Sequence, residues 1–257
     1  MKYVRYQGAS GPEYGVLGND GTVSAMIGSP LGEHRTGAAV GPLTSLKLLA
    51  PVEPPKIICV GLNYADHAAE AGQKPPEFPL YFMKPRTALT APESEVVYPK
   101  DSTVVHYEAE LVVVIGKAGR RIPADRALEH VHGYTCGNDV SARDFQSREM
   151  AKGFILHGKG FDTFAPIGPI VNTDLDGSDL AIELRLNGQV KQKSRTSQLI
   201  FSVPKLIEDI SSFCTLEPGD IIMTGTTSGV GPVKPGDVME VEVEGIGILR
   251  NSVVAEK

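Results

Sequence analysis

The chain has 257 residues, a length that suits one large domain or one domain with a small appendage. Its net charge of −6 and the lack of a long basic run argue against nucleic acid and anionic membranes as partners. No apolar run approaches the roughly 20 residues of a transmembrane helix, and no apolar signal segment opens the chain. The three cysteines form neither a close pair nor a disulfide framework, so we expect a cytoplasmic protein.

The first 50 residues have the pattern of a short β segment. Two strand-like stretches, YVRYQG and TVSAMIG, flank the turn-rich LGNDG, where the pair Asp20-Gly21 favours a hairpin. The proline-rich stretch LLAPVEPPK follows and indicates a boundary. We therefore predict a small N-terminal β domain at residues 1–50 and a main domain at residues 51–257.

Four short helical patterns occur in the main domain. NYADHAAEAG has Asn63 as a candidate N-cap and Gly72 as a stop, PADRALEHV is the second, and SARDFQSREMAKG has Ser141 as a cap. SVPKLIEDISSFCTL is the clearest, because apolar residues recur at the helical period and Pro204 suits a first turn.

Strand patterns dominate the remainder. AIELRLNGQVKQK alternates around Asn187-Gly188, a strong hairpin signal, and two Pro-Gly-Asp turns precede the strands IIMTG and VMEVEVE. The strands outnumber the helices and do not alternate with them, which excludes a doubly wound sheet. We expect a β-rich α+β domain built as a mixed β-roll or barrel, with short helices at its periphery.

Two acids mark the entrance to a buried strand in VVHYEAELVVVIG. Glu108 and Glu110 point to the same face of a strand. At about 5 Å and an effective dielectric near 20, two such charges repel by roughly 3 kcal/mol. A half-buried pair must bind a cation, share a proton or meet basic side chains, whereas a solvated strand end is the alternative for an isolated Glu-x-Glu.

A third acid lies in GYTCGNDVSARDFQ, where Asp139 stands between a strand and a helix. Together with the first two acids it makes a set of oxygen ligands with no cysteine or histidine pair beside it. Such a set favours Mg²⁺ or Mn²⁺, with water or substrate oxygens completing an octahedron.

Five separated stretches resemble the fumarylacetoacetate hydrolase family and occur in that family's order. They are VGLNYADHAAE, HYEAELVVVIGK, GYTCGNDVSARDFQ, FDTFAPIGP and GDIIMTGTTSGVGPV, all within residues 57–233. Residues 1–50 look like the N-terminal extension of the shorter bacterial members. The resemblance implies a strand-rich roll, a homodimer and one divalent cation per subunit, Mg²⁺ or Mn²⁺, held by Glu108, Glu110 and Asp139.

The resemblance also implies three catalytic residues. Lys159 matches the family's active-site lysine, although Gly160 stands where the family more often has serine. His67 and Glu70 match a dyad that activates water on a mobile lid in hydrolytic members. Their spacing puts them on one helical face, where a carboxylate raises the basicity of the imidazole. An ordinary surface pair is the alternative for these two residues.

Four further residues are candidates for contacting the substrate, and they are Arg143, Gln146, Thr226 and Tyr81. The first two lie three residues apart on one helical face, where both can donate hydrogen bonds to a substrate carboxylate. A surface salt bridge is the alternative for the arginine. The glycines around Thr226 would let backbone N–H groups approach an anion. Lys84 lies beside Tyr81 in a matching segment, and we interpret it as structural.

The function implied is hydrolysis of a C–C bond in an acylpyruvate-type 2,4-dioxo acid such as fumarylpyruvate. Such an acid offers a carboxylate and a keto oxygen to one cation, which then stabilises the enolate left when the bond to C3 breaks. The alternatives at the same site are oxaloacetate decarboxylation and isomerisation or decarboxylation of a dienedioate from aromatic degradation. A non-catalytic metal-binding dimer is the remote alternative.

Overall fold

The computed structural model describes residues 1–70 and 72–257, which form mainly β-strands. The strands are β1 Lys2–Gly8, β2 Gly11–Leu17, β3 Thr22–Gly28, β4 His34–Pro42, β5 Leu48–Leu49, β6 Ile57–Gly61, β7 Leu80–Lys84, β8 Leu89–Thr90, β9 Glu95–Tyr98, β10 Val105–Tyr107, β11 Ala109–Ile115, β12 Val131–Asn138, β13 Ser141–Ala142, β14 Ala165–Asn172, β15 Ala181–Leu186, β16 Gln189–Arg195, β17 Ile221–Thr226, β18 Gly231–Val233, β19 Val238–Val243 and β20 Gly247–Ala255. The α-helices are α1 Ala65–Glu70, α2 Arg143–Met150 and α3 Val203–Phe213.

Three sheets contain these strands, and the largest and the third of them are mixed. The largest has the order β4-β3-β2-β1-β14-β12-β11-β17-β6-β7, with β5 paired to β1 and β8 paired to β14. A second sheet has the order β13-β10-β18, and a third has the order β16-β15-β19-β20-β9. The expected β-rich α+β fold is therefore confirmed, and among the described residues the sheets are open rather than closed into a barrel.

The N-terminal β region joins the main domain edge to edge. Strand β1 pairs antiparallel with β14, so both parts of the chain contribute to one sheet. The aromatic rings of Tyr3 and Tyr6 on β1 are buried in the core. Residue 50 is thus the predicted boundary along the sequence. In space, however, one continuous sheet contains strands from both sides of this boundary.

Strand β11 occupies the centre of the large sheet. It pairs antiparallel with β12 on one side and with β17 on the other, and each residue from Leu111 to Ile115 is fully buried. Both faces are covered, so the apolar residues run continuously instead of alternating with polar ones. A rigid strand with covered faces fixes the residues at its beginning, which include Glu110.

The helices are short and peripheral. PADRALEHV forms a 3₁₀ helix at Ala124–His130, and shorter 3₁₀ turns occupy Leu43–Ser45, Arg86–Ala88, His157–Lys159 and Thr196–Gln198. The Asn187-Gly188 hairpin is confirmed, and both residues have the positive φ that a type I′ turn requires. None of the helices in the described residues is long and apolar enough to cross a lipid bilayer.

Two predicted helix caps are wrong. Helix α1 begins at Ala65, and the side chain of Asn63 bonds instead to the backbone of Phe201 and Thr224. Ser141 lies in β13, and its hydroxyl lies 3.2 Å from a carboxylate oxygen of Glu108. The amide of Asn63 therefore has long-range partners, whereas the Ser141 hydroxyl donates to the carbonyl of Asp139 at 2.9 Å and lies close to Glu108.

We predict that Asn63→Ala lowers the free energy of unfolding by about 2–4 kcal/mol, because the backbone groups at Phe201 and Thr224 lose buried partners. Urea denaturation followed by circular dichroism measures the change. Asn19→Ala at an exposed position is the matched control and should change the free energy by less than about 0.5 kcal/mol. Equal effects of the two variants would contradict a structural role for Asn63.

Candidate active site

Strand pairing brings the three predicted acids together. Glu108 precedes β11 and Asp139 follows β12, and the register that pairs Ala109 with Asn138 makes the two acids neighbours. The backbone N–H of Asp139 donates to the carbonyl of Glu108 at 2.9 Å. With Glu110, the three residues each offer one carboxylate oxygen, and these oxygens lie within 4.8 Å of one another. All three side chains are buried.

Three cations surround these acids. The Lys159 ammonium donates to Glu108 at 2.8 Å and to Asp139 at 2.7 Å. Arg143 forms an ion pair with the second oxygen of Glu108, and Lys84 lies 2.6 Å from Oδ1 of Asp139. Because three negative and three positive side chains meet, the buried cluster has no formal net charge when all six are ionised.

Lys84 has a larger part in this site than the sequence interpretation assigned to it. Its three N–H groups donate to the backbone carbonyls of Val140, Lys159 and Phe164 at 3.1, 2.6 and 2.9 Å. It therefore ties the segment after Asp139 to the segment that carries Lys159. A signal was available, since a lysine ends a strand that pairs with the core strand β6.

The acidic cluster fits a divalent cation. Oδ1 of Asp139 is buried and accepts no hydrogen bond from any described residue, and its ionic partner is the Lys84 ammonium at 2.6 Å. One oxygen from each of Glu108, Glu110 and Asp139 lies close enough to the other two for one divalent cation to contact all three. The donor set contains only oxygen, which suits Mg²⁺ or Mn²⁺ better than zinc or copper.

The pKa values of the two glutamates of the cluster are shifted in opposite directions. Burial alone would raise the pKa of Glu108, but the charges of Lys159 and Arg143 outweigh burial and lower it to about 2. Burial raises the pKa of Glu110 well above its usual value, and the charges of Asp139 and Glu108 raise it further. Glu110 is therefore the carboxylate whose negative charge most needs a cation.

A cavity of about 290 Å³ opens onto this cluster. Its wall contains eight of the ten predicted site residues, namely Glu108, Asp139, Lys159, Arg143, Gln146, His67, Thr226 and Tyr81. Glu110 and Glu70 lie outside the wall, each beside a residue that belongs to it. The volume is near the lower end of small-molecule sites, roughly 300–1,000 Å³, so the cavity suits one small acid.

The His67–Glu70 pair forms on α1 as its spacing predicts. Nδ1 of His67 lies 3.5 Å from Oε2 of Glu70, and the Glu70 carboxylate also accepts the backbone N–H of Gly229 at 3.0 Å. The glutamate is thereby held by the glycine-rich loop while it faces the imidazole. His67 also lines the cavity, so the pair lies beside the acidic cluster.

Arg143 and Gln146 lie on one face of α2, as predicted. The guanidinium of Arg143 donates to the Gln146 side-chain oxygen at 2.6 Å. The surface salt bridges considered for Arg143 do not form, because its ionic partner is the buried Glu108. The pair therefore places N–H donors at the wall of the cavity.

The glycine-rich loop has a different arrangement from the one expected. The Thr226 hydroxyl donates to the carbonyl of Ala109 and accepts from Gln192, so its proton is already used inside the protein. The backbone N–H of Gly225 donates to Glu110 at 2.8 Å. These donors hold the chain's own carboxylate and strands, while Thr226 lines the cavity.

Gln192 is a positioning residue that the sequence analysis missed. Its buried amide accepts the N–H of Ala109 and donates to Thr226 and Thr227. It thereby connects the third sheet to the beginning of β11. The available signal was a glutamine at an inward position of the otherwise exposed strand β16.

Tyr81 contributes its ring to the wall. Its hydroxyl is buried and lies near the carboxylate of Asp209. Burial, followed by the nearby Asp209, raises the pKa of Tyr81. The phenol therefore stays protonated at neutral pH and is a donor.

The chain matches known protein families along nearly its whole length. Residues 56–254 match the family model described as fumarylacetoacetate (FAA) hydrolase C-terminal, and residues 1–51 match the model described as Rv2993c-like, N-terminal. Protein Rv2993c of Mycobacterium tuberculosis is 44% identical over 245 residues, which cover 92% of this chain and 91% of that protein.

A mitochondrial protein of Bos taurus named oxaloacetate tautomerase FAHD2A is 44% identical over 230 residues, or 85% of this chain and 73% of its own length. The crystal structure of a 5-carboxymethyl-2-hydroxymuconate delta-isomerase from Mycobacterium smegmatis superposes with a TM-score of 0.91 at 42% identity, covering 100% of both chains.

We predict opposite stability effects for two isosteric changes in metal-free protein at pH 7. Glu110→Gln replaces a carboxylate whose charge the fold disfavours and should raise the free energy of unfolding. Glu108→Gln removes a favoured charge and should lower it by about 2–3 kcal/mol. The stabilisation by Glu108 is present above a pH near 4.5 and is lost as the pH falls towards 2.

Chemical denaturation in the presence of a chelator measures both changes. Addition of Mg²⁺ should raise the melting temperature of the unmodified protein but not that of either variant, because a ligand stabilises the state that binds it. If both variants changed the free energy of unfolding in the same direction, the two carboxylates would not have different electrostatic environments.

Proposed function

Because this chain belongs to the fumarylacetoacetate hydrolase family, we propose that it is a divalent-metal-dependent enzyme that forms enolates of 2-oxo acids. The observation that supports this proposal is the convergence of the acids, Lys159, Arg143 and His67 on one small cavity. Our lead reaction is hydrolysis of the C–C bond of an acylpyruvate-type 2,4-dioxo acid.

The residues of the cavity have separate parts in this proposal. Mg²⁺ or Mn²⁺ held by Glu108, Glu110 and Asp139 would supply Lewis-acid polarisation of the substrate's keto and carboxylate oxygens. Arg143 donates N–H groups to the substrate carboxylate. The buried ammonium of Lys159 provides a fixed positive charge near the oxygen on which negative charge develops.

Hydrolysis requires a base and a water molecule. His67 takes a proton from water, and the resulting hydroxide adds to the C4 carbonyl of the substrate. The C3–C4 bond then breaks, its electron pair forms the enolate of pyruvate, and the proton on His67 passes to C3. The products are a carboxylic acid and pyruvate. Glu70 orients the imidazole and stabilises its protonated form.

Keto–enol tautomerisation of oxaloacetate is the second candidate. It is favoured by the 44% identity to the protein named oxaloacetate tautomerase and by the similarity to an isomerase structure. The same residues suffice, because His67 can move a proton between C3 and the keto oxygen without adding water. The two reactions share the enolate and differ in whether water enters.

A metal-supplemented screen of 2-oxo acids tests the proposed function. With Mg²⁺ or Mn²⁺, we expect acylpyruvates to yield pyruvate and the matching carboxylic acid, identified by chromatography and mass spectrometry. Asp139→Asn should lower kcat/KM by at least about 100-fold. The function is refuted if acylpyruvates and oxaloacetate all remain unchanged with either metal.

We predict that His67→Gln separates binding from proton transfer. It should lower kcat for hydrolysis by about 10²–10⁴-fold, the usual contribution of a general base, while KM changes little. His34→Gln, at an exposed position outside the cavity, is the matched control and should retain full activity. An equal, small loss of kcat in both variants would show that His67 is not the general base.

A further inference from the structure

The cavity has two chemically different parts. Charged side chains gather at the acidic cluster, whereas a large share of the remaining wall is apolar and includes Leu62, Leu80, Tyr81, Phe82, Met150 and Ile155. Phe82 lies at the cluster, with its ring centroid 5.2 Å from the Lys159 ammonium. A small acid whose 2-oxo carboxylate faces the cluster therefore meets apolar side chains over much of its remaining surface.

Both cations that line the cavity already have ionic partners. Lys159 donates to Glu108 and Asp139, and Arg143 pairs with Glu108. Lys84 lies outside the wall and uses all three of its N–H groups on carbonyls. No other lysine or arginine of the described residues lines this cavity. A single substrate carboxylate can share Arg143, and a second one would have no cation of its own.

The remaining polar lining residues do not change this balance. Gln73 and Ser147 are neutral, and His67 faces the carboxylate of Glu70. Neutral donors can form hydrogen bonds, but a carboxylate moved from water to a largely apolar wall without a cation is strongly disfavoured. An apolar group at the same place gains from leaving water.

We infer that the substrate is a monocarboxylic 2,4-dioxo acid with an apolar acyl group, and that Met150 and Ile155 help to select this group. The inference rests on the proposed function, because it assigns the 2-oxo carboxylate to the acidic cluster. It favours acyl groups ending in hydrocarbon over acyl groups ending in a carboxylate, such as fumaryl and succinyl groups.

A pair of isosteric ligands tests the inference without turnover. The compound 5-methyl-2-oxohexanoate has the heavy-atom skeleton of 2-oxoglutarate, with an isopropyl group in place of the distal carboxylate. We expect calorimetric titration in the presence of Mg²⁺ to show at least about tenfold tighter binding of 5-methyl-2-oxohexanoate. Equal or tighter binding of 2-oxoglutarate overturns the inference, as does failure of both compounds to bind.

Met150→Lys adds a cation at the edge of the cavity. The side chain of Met150 is 53% exposed, so a lysine can be accommodated with its ammonium near the distal group. This variant should reduce the preference for 5-methyl-2-oxohexanoate at least about tenfold. Val190→Lys is the matched control, since Val190 is 50% exposed on β16 and lies outside the cavity. A preference that changes equally in both variants, or in neither, overturns the assignment of Met150.

Turnover of a second isosteric pair separates this inference from the proposed reaction. We expect 4-methylpentanoylpyruvate to be cleaved with at least about tenfold higher kcat/KM than succinylpyruvate. If neither compound is cleaved while the binding preference holds, C–C hydrolysis is refuted and the apolar specificity stands. If succinylpyruvate is cleaved as well or better, hydrolysis stands and the apolar specificity is refuted.

Discussion

The buried balance between three carboxylates and three cationic side chains is the constraint on which the rest of the structure depends. Each charge in the interior would be costly by itself, because desolvation opposes ionisation. Lys159 and Arg143 make the ionised form of Glu108 favourable, while Glu110 remains under repulsion from its neighbours. The cluster thus combines a stable ion-pair network with one carboxylate that gains most from an additional cation.

The sheets provide the rigidity that this balance needs. Register between β11 and β12 fixes two of the acids relative to each other, and the carbonyl contacts of Lys84 fix the segments that follow. Gln192 links the third sheet to the same place. Ligands mounted on packed strands keep their positions better than ligands on loops, which matters where small displacements weaken electrostatic stabilisation.

Sequence patterns with local causes predicted much of this architecture. The continuous apolar run of β11, the hairpin at Asn187-Gly188 and the shared face of Arg143 and Gln146 follow from periodicity and turn chemistry. The family motifs supplied Lys159 and the acids. The homodimer remains a prediction from the same resemblance, and the cytoplasmic location remains a prediction from the cysteine pattern.

The long-range hydrogen bonds of polar side chains could not be predicted from the sequence. Asn63 and Ser141 have the composition of helix caps, yet their partners lie far along the chain or in the acidic cluster. Thr226 has the hydroxyl of a ligand donor, but Ala109 and Gln192 occupy it. The identity of a polar residue does not indicate whether its hydrogen-bond partner lies one helical turn or one hundred residues away. The partner is known only from the folded structure.

The edge-to-edge pairing of β1 with β14 has a consequence for the independence of the catalytic part. Without the N-terminal region, the partner edge of β14 would lose its neighbour, and the core packed around Tyr3 would open to water. An uncovered strand edge beside exposed apolar surface is a template for self-association. In this chain the small N-terminal region thus covers an edge of the large sheet and shields it from pairing with other molecules.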